Sequence, residues 1–354
     1  MSGWIDAHVH AFGGAEALRE LQEIERRFGY TAANFLSVEG MDDAAQNALA
    51  IGWKLLDPAH YAFGGLHHRF AYDCAEEMRR LLALGLDGMK MIENKPTERR
   101  KWGIAQDDES LDAMYAAAEA DGIPFLIHVN DPRNFWDANA IPAWARDAGY
   151  FYGADGYASY EQILSESLRM CEKHPKLRVC FAHFLFLSDD HDRLRRIMDA
   201  HPNLWLDVTA GTEMYPNFSA DRARWRRFFL DYSDRILYGT DNCAPMKGED
   251  VHIAEVLNRL ERSFFFGDDP IPLWDDTVFG IDLPKDAFEK LTYGNFRRFA
   301  GEKPKRIDRN AAAAYLEERL SDVRFRLNER EREIIRNIQK ECLRTNSLSS
   351  ILFS

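Results

Sequence analysis

Two histidines stand two residues apart near the start of the chain, in the motif Asp6-Ala7-His8-Val9-His10. Side chains at positions i and i+2 of a β-strand point to the same side, so His8 and His10 can converge on one ion. An isolated H-x-H motif is a weak signal, and two ordinary histidines are its alternative. The motif gains weight only if other metal ligands are expected nearby.

Three further residues of suitable chemistry each end a short apolar run: His128, His183 and Asp241. A single His of this kind is usually a satisfied core residue, and a single Asp is usually a helix cap. Five such residues, all at the ends of apolar runs, are hard to explain in that way. Imidazole and carboxylate together suit Zn²⁺, Mn²⁺ or Fe²⁺, and three or four protein ligands leave a position open for water. The pattern therefore indicates a catalytic metal site.

The apolar runs that carry these residues recur through the first 245 residues, and segments with helical spacing separate them. This alternation predicts an α/β fold, a closed (β/α)8 TIM barrel whose active site lies at the C-terminal ends of the strands. A doubly wound open sheet is the alternative, but the chain lacks its G-x-G-x-x-G phosphate turn. The runs are residues 4–10, 31–40, 61–68, 85–92, 124–130, 177–184, 203–210 and 235–241.

Two segments do not fit the regular spacing of the barrel. Residues 129–158 form a long insertion after the fifth run, and its many aromatic residues argue against disorder. From about residue 308 the sequence is helical again. We therefore predict a metal-dependent barrel over residues 1–305 and a C-terminal helical extension over residues 306–354.

The composition limits the class of protein and its surroundings. Of the 354 residues, 46% are hydrophobic and 29% are charged, and the formal net charge is -13. An acidic chain argues against a nucleic-acid partner, because phosphate binding needs clustered Lys and Arg. We expect no secretory signal, since the N-terminus lacks a basic and then apolar region, and no membrane span. The five cysteines are odd in number and form no C-x-x-C pair, which indicates free thiols in a reducing, cytoplasmic compartment.

With these motifs in place, the chain resembles the amidohydrolase superfamily. More narrowly, it is similar to the amidohydrolase-related branch that includes aminocarboxymuconate-semialdehyde decarboxylase and the pyrone dicarboxylate lactonases. The resemblance covers about the first 300 residues. The motifs that carry it are D-A-H-V-H (6–10), I-H-V (127–129), A-H-F (182–184), Y-G-T-D (238–241) and the later G-N-F-R-R-F (294–299).

The resemblance implies a role for each motif residue. One divalent ion, zinc first with manganese or iron as alternatives, is expected to be held by four residues, His8, His10, His128 and Asp241. In the family the His of the sixth strand, here His183, acts beside the metal on water or substrate. Asp241 is also expected to take a proton from water. Both His183 and Asp241 are thus catalytic candidates.

Lys90 ends the fourth run, in Gly88-Met89-Lys90-Met91, and leaves three alternatives open. In binuclear members of the superfamily, a Lys at this strand is carboxylated and bridges two metal ions, so a second metal is expected only if Lys90 is carboxylated. Lys90 could instead anchor a carboxylate of the substrate. The third alternative is an ion pair with an acid in the mouth of the barrel.

Several other side chains are candidates for substrate binding. His67 and His68 end the third run, and strand alternation lets only one of them point inward. Arg69 follows directly and is also a candidate. In the insertion, Arg133 is a candidate cation, and Trp136 and Tyr152 are expected to form a lid or wall over the metal or, alternatively, to pack on the barrel rim or on a neighbouring subunit.

The expected function follows from this set of residues. We predict metal-dependent hydrolysis of a C–O or C–N bond in a small, carboxylated metabolite. The alternative is a nonoxidative decarboxylase, which would use the same ligands, and a third interpretation is a metal-binding protein without catalysis. An apolar stripe along residues 308–344 must pack on something. The alternatives are the chain's own outer helices or barrel floor and, slightly favoured, a second subunit in a homodimer through the C-terminal helices.

Overall fold

The computed structural model describes residues 3–41, 43–68, 70, 72–209, 211, 213–274 and 276–344. Arg69, a predicted substrate contact, lies outside the described residues. The strands are β1 (Trp4–Ala11), β2 (Tyr30–Leu36), β3 (Tyr61–Gly65), β4 (Gly88–Asn94), β5 (Phe125–Val129), β6 (Val179–Phe181), β7 (Leu204–Asp207), β8 (Ile236–Leu237), β9 (Asn242–Ala244), β10 (Pro270–Leu273) and β11 (Asp276–Phe279).

Helices follow the strands along the chain, as an α/β protein requires. They are α1 (Ala15–Arg27), α2 (Gln46–Leu56), α3 (Cys74–Ala83), α4 (Pro96–Trp102), α5 (Glu109–Asp121), α6 (Ala143–Asp147), α7 (Tyr160–Lys173), α8 (His191–Ala200), α9 (Met214–Ala220), α10 (Arg222–Asp231), α11 (Glu249–Phe266), α12 (Lys285–Glu289), α13 (Asn295–Ala300), α14 (Arg309–Ser321) and α15 (Glu329–Leu343).

The chain divides into two compact units, and the first contains Met1–Lys90, Tyr238–Asn258 and Thr292–Ser354. Its strands are parallel and lie in the order β9-β1-β2-β3-β4. Almost every residue of β1 is buried, including the polar ones. A strand that is covered on both faces has no solvent side, which explains why the first apolar run shows no simple alternation.

The second unit contains Met91–Leu237 and Arg259–Leu291. Its strands β5, β6, β7 and β8 are also parallel and neighbours in that order. A separate antiparallel hairpin, which the sequence did not predict, joins β10 and β11 with Pro270 opposite Phe279. Pro270 and Pro272 lie on this short strand, where proline does not interrupt a central ladder.

The eighth apolar run was predicted as one strand over residues 235–241. The structure instead divides it, because β8 ends at Leu237 and β9 begins only at Asn242. Asp241, between them, has a φ of 59°, in the left-handed region. The break has a physical reason: the Thr240 amide donates to the side chain of Asp6 rather than to a strand ladder.

The insertion after β5 is folded rather than irregular. It contains α6 and a 3₁₀ turn at Arg133–Trp136, and it buries a small apolar cluster of its own around Phe135, Ile141, Ala145 and Tyr152. The aromatic content of residues 129–158 is therefore used to give the insertion its own core.

The C-terminal extension was predicted to be helical and to carry an apolar stripe. The structure shows two helices, α14 and α15, because a 3₁₀ turn and the capping box of Asn328 and Glu331 interrupt the run. Most of the stripe is buried within the first unit, where α15 packs on α2. Gly52 of α2 makes this approach feasible, since a Cβ there would lie 2.6 Å from Cδ1 of Ile338. Association with a second copy stays a prediction.

In the described part of the chain, none of the helices combines the length and the apolar character that crossing a membrane requires.

Candidate metal centre

The structure brings three of the predicted ligands, His8, His10 and Asp241, to one point in the first unit. The two Nε2 atoms of His8 and His10 are 3.1 Å apart. Oδ1 of Asp241 lies 3.6 Å from Nε2 of His8 and 3.4 Å from Nε2 of His10. Two atoms that bind one Zn²⁺ at ~2.0–2.1 Å in tetrahedral geometry are ~3.3–3.4 Å apart. The three donor atoms therefore have the separations of ligands around a single ion.

The tautomer of His10 supports this interpretation. Its Nδ1 lies 2.9 Å from the carbonyl oxygen of Leu36, which can only accept a hydrogen bond. Nδ1 therefore carries the proton of the neutral ring, and the Nε2 lone pair faces His8 and Asp241. This is the usual arrangement of a metal-binding histidine, whose second nitrogen is held by a carbonyl.

Asp6, the first residue of the D-A-H-V-H motif, holds the two ligand segments together. Its Oδ1 accepts hydrogen bonds from the His8 amide at 3.0 Å and from the Thr240 amide at 3.1 Å. The Asp241 amide in turn donates to the His8 carbonyl at 2.9 Å. Asp6 is completely buried, and burial raises its pKa to about 7 despite these hydrogen bonds. Sequence reasoning assigned Asp6 no role, although the motif contains it.

Lys90 lies in the same cluster. It is 1% exposed, and its Nζ is 3.4 Å from Nε2 of His8. Like charges repel strongly in a buried setting, so an ammonium here would oppose a divalent cation at the His8 nitrogen. This repulsion favours a Lys90 that is carboxylated or paired with an anion when a metal is bound.

In the second unit, His128 is held by residues that follow β5. Its Nε2 lies 2.8 Å from the carbonyl oxygen of Asn130 and 3.3 Å from Oδ1 of Asp131. Lys95 donates to both Asp131 oxygens at 2.8 Å. Burial by itself would raise the pKa of Asp131, but Lys95 and His128 hold it below its usual value. An ionised Asp131 thus fixes the His128 ring through Nε2.

His183 follows β6 in an unusual backbone conformation. Four consecutive residues, His183–Phe186, have φ between 49° and 58°, although none is glycine. Such a run costs roughly 1–2 kcal/mol per residue, so the surrounding structure must hold it. The His183 amide donates to Oδ1 of Asp207 at 2.7 Å, its Nδ1 is 3.3 Å from the Thr209 carbonyl oxygen, and its ring lies 4.9 Å from that of His128. Strain of this kind is typical of functional positions.

Comparison with protein families then decides the classification. The model of a family described as amidohydrolase matches residues 5–301, most of the chain. The chain belongs to the amidohydrolase family. No curated protein matches its sequence.

Solved structures similar to this amidohydrolase give its fold. An uncharacterised TIM-barrel protein from Bordetella bronchiseptica is 17% identical, with 84% of this chain and 97% of that chain covered and a TM-score of 0.52. A 2,6-dihydroxybenzoate decarboxylase is also 17% identical, with coverage of 84% and 99% and a TM-score of 0.52. The IDCase of Metarhizium anisopliae is 12% identical, with coverage of 84% and 97% and a TM-score of 0.50. The prediction of an α/β TIM barrel is confirmed.

The predicted substrate contacts of this amidohydrolase differ in their surroundings. His67 is fully buried, and its ring lies 5.3 Å from that of Phe325 in the C-terminal extension. Arg133 is exposed and stacks on Tyr160, with Cζ 5.0 Å from the ring centre. Trp136 packs on Tyr152 at 4.9 Å, and its indole N–H donates to the Ala158 carbonyl. Tyr152 thus belongs to the buried cluster of the insertion, and Trp136 is partly buried against it.

Tyr152 also links the insertion to His128, which suggests a test. Its hydroxyl donates to Oδ2 of Asp131, the carboxylate that fixes His128. Outer partners of ligand histidines contribute about 10- to 100-fold to metal affinity. If His128 is a ligand, Tyr152→Phe should weaken metal binding about 10-fold, measured by competition with a chelator. Tyr157→Phe, in a ring that packs on Tyr152, is the matched control. Equal affinity in both variants would contradict this role.

Proposed function

We propose that this chain is a metal-dependent hydrolase that uses an activated water on a C–O or C–N bond of a small, carboxylated metabolite. The observation that carries the proposal is the convergence of His8 Nε2, His10 Nε2 and Asp241 Oδ1 at 3.1–3.6 Å. Membership of the amidohydrolase family supports an enzyme. Within the proposal, His128 is the fourth ligand.

The metal is proposed to be a single divalent ion, zinc first and manganese or iron as alternatives. When bound, it would lower the pKa of a water molecule toward ~7 and polarise a carbonyl group. Elemental analysis of protein purified without chelator should then find about one equivalent. Two equivalents would support a carboxylated Lys90 that bridges a second ion. Active protein without metal would refute the proposal.

The residues of the chain supply the proton transfers. The side chain of Asp241 is 39% exposed, whereas those of His8 and His10 are nearly buried. This difference supports the proposal that Asp241 accepts a proton from the attacking water. His183, fixed by Asp207 and Thr209, is proposed to orient the substrate or protonate the leaving group. Lys90 is proposed to attract the substrate carboxylate if it is not modified.

The second candidate is a nonoxidative decarboxylase, which the same residues would serve. It is favoured by the presence of a 2,6-dihydroxybenzoate decarboxylase among the structures of like fold. Assays with lactones, amides and unsaturated carboxylic acids separate the two reactions. Consumption of base on lactone opening, or release of an amine or ammonia from an amide, identifies the hydrolase, and release of CO₂ identifies the decarboxylase. A metal-loaded protein that converts none of these classes would favour a binding role without catalysis.

His183→Asn tests the division of roles between ligand and proton donor. The variant should keep its metal and lose turnover by at least about 100-fold, because general acid–base groups contribute ~10²–10⁴. Metal content and rate are measured on the same sample, with His191→Asn, on α8, as a control histidine. Loss of metal in proportion to activity would show that His183 is a ligand instead.

A further inference from the structure

A cavity of about 330 Å³ adjoins Asp241 in the first unit. One wall is the segment from Thr240 to Met246, which continues from the candidate metal ligand into β9. The other wall is the face of α11 that carries Ile253, Ala254 and Leu257. Asp241 belongs both to the ligand cluster and to this wall, so a group in the cavity lies next to one of the three candidate ligands.

The residues that line the cavity are mostly apolar, and two of them are acidic. Cys243, Met246, Ile253 and Leu257 contribute apolar surface. Among the described residues of the lining, the charged side chains are two acids, Asp241 and Asp250.

These features define what the cavity accepts. A carboxylate placed against the apolar residues of these walls would lose its hydration and gain no cationic partner among them, with Asp250 as a further acid in the lining, so it would bind poorly there. An uncharged apolar group gains free energy in proportion to the apolar surface that it removes from water. In size, a cavity of roughly 150 Å³ can hold benzene, so this one has room for a substituted six-membered ring.

We propose that this cavity binds an uncharged, apolar group of the substrate, up to the size of a substituted six-membered ring, directly beside Asp241. The inference rests on the proposed function, because it takes Asp241 as a ligand at the reacting centre. It also narrows the substrate class: any carboxylate of the substrate is directed away from the α11 side, and the group beside Asp241 is hydrophobic.

Hydroxamic acids test this proposal directly. Their two oxygen atoms chelate the metal, and the group attached to them can then contact the cavity beside Asp241. Binding of acetohydroxamic, benzohydroxamic and 4-carboxybenzohydroxamic acid to the zinc-loaded protein is measured by calorimetry. We expect the phenyl compound to bind at least tenfold more tightly than the methyl compound, and the added carboxylate to remove this gain. Equal affinities, or tightest binding of the carboxylated probe, would overturn the inference.

Two variants of α11 test whether the phenyl group binds in this cavity. Leu257→Asp places a charge on the wall and should abolish the preference for the phenyl probe without changing the affinity for acetohydroxamic acid. Val251→Asp adds the same charge at an exposed position of the same helix outside the lining and should preserve the preference. A preference that survives in both variants would place the phenyl group elsewhere.

A second measurement separates this inference from the proposed function. If the protein binds no divalent ion, the proposed function fails and no hydroxamate binds. In that metal-free protein, benzyl alcohol should still slow the alkylation of Cys243 by N-ethylmaleimide, because Cys243 lines the cavity. Cys74, a partly exposed thiol outside it, is the internal control. Equal rates at Cys243 with and without benzyl alcohol would refute the cavity as an apolar site.

Discussion

His10→Ala is expected to lower the affinity for a divalent metal by at least about 100-fold, because even outer partners of metal ligands contribute ~10–100-fold. The ring is fixed by Leu36 so that its unprotonated Nε2 faces His8 and Asp241. Removing it takes away one of the three donor atoms that meet at this point, and alanine offers no replacement.

The measurement is a titration of metal-free protein against a competing chelator, together with thermal unfolding. A metal at 100 times its Kd stabilises the folded chain by about 2.7 kcal/mol, and the variant should lose most of this increment at the same metal concentration. His252→Ala, an exposed histidine on α11, is the matched control and should behave as the wild type. If His10→Ala binds metal as tightly as the control, the candidate centre does not hold the ion.

Arg319→Leu is expected to destabilise the folded chain by about 3–5 kcal/mol, the range for breaking a buried ion pair. Arg319, in α14, is 5% exposed. Its guanidinium lies 3.3 Å from Glu39 and 3.1 Å from Glu77, and it donates to the Tyr315 hydroxyl. Without this cation, two buried carboxylates lose their compensating charge. The family match ends at residue 301, so the extension supplies this contact from outside it.

The loss should depend on pH in a defined direction. Burial raises the pKa of Glu39 to about 8, against 4.5 for an ordinary Glu, even though Arg319 opposes the shift. Between these values the folded chain binds more protons than the unfolded one, so the contribution of Glu39 to the free energy of unfolding falls as pH rises from about 4.5 to 8. Removing Arg319 raises this pKa further, so the variant should lose less stability at pH 5 than at pH 8.

Urea unfolding of the wild type and the variant at the two pH values measures this difference. Arg324→Leu is the control, because Arg324 pairs with Asp322 at the surface and such changes usually stay within ~0.5 kcal/mol. Equal losses in the two variants, or a loss in Arg319→Leu that does not change with pH, would show that the cluster around Glu39 does not stabilise the fold as proposed.

The sequence by itself determined the alternation of strands and helices and the set of residues at the candidate centre. Both follow from short-range regularities. Parallel strands are bracketed by turn residues, a period of two places His8 and His10 on one side of β1, and ligands at the C-terminal ends of strands share one edge. Asp241 could therefore be grouped with the two histidines although more than 200 residues separate them.

Only the tertiary structure decided which polar residues from separate elements pair with one another. The bond from Thr240 to Asp6, the anchoring of His128 by Asp131 and Tyr152, and the burial of Arg319 against Glu39 and Glu77 each join residues from separate elements. The spacing of residues along the sequence does not predict such pairs. Their interaction energy becomes large only when the fold buries both partners away from water. The sequence also predicted that the apolar stripe of the C-terminal extension is buried, but it did not specify the surface that buries it. In the structure Ile338 packs against Gly52 of α2 in the same chain.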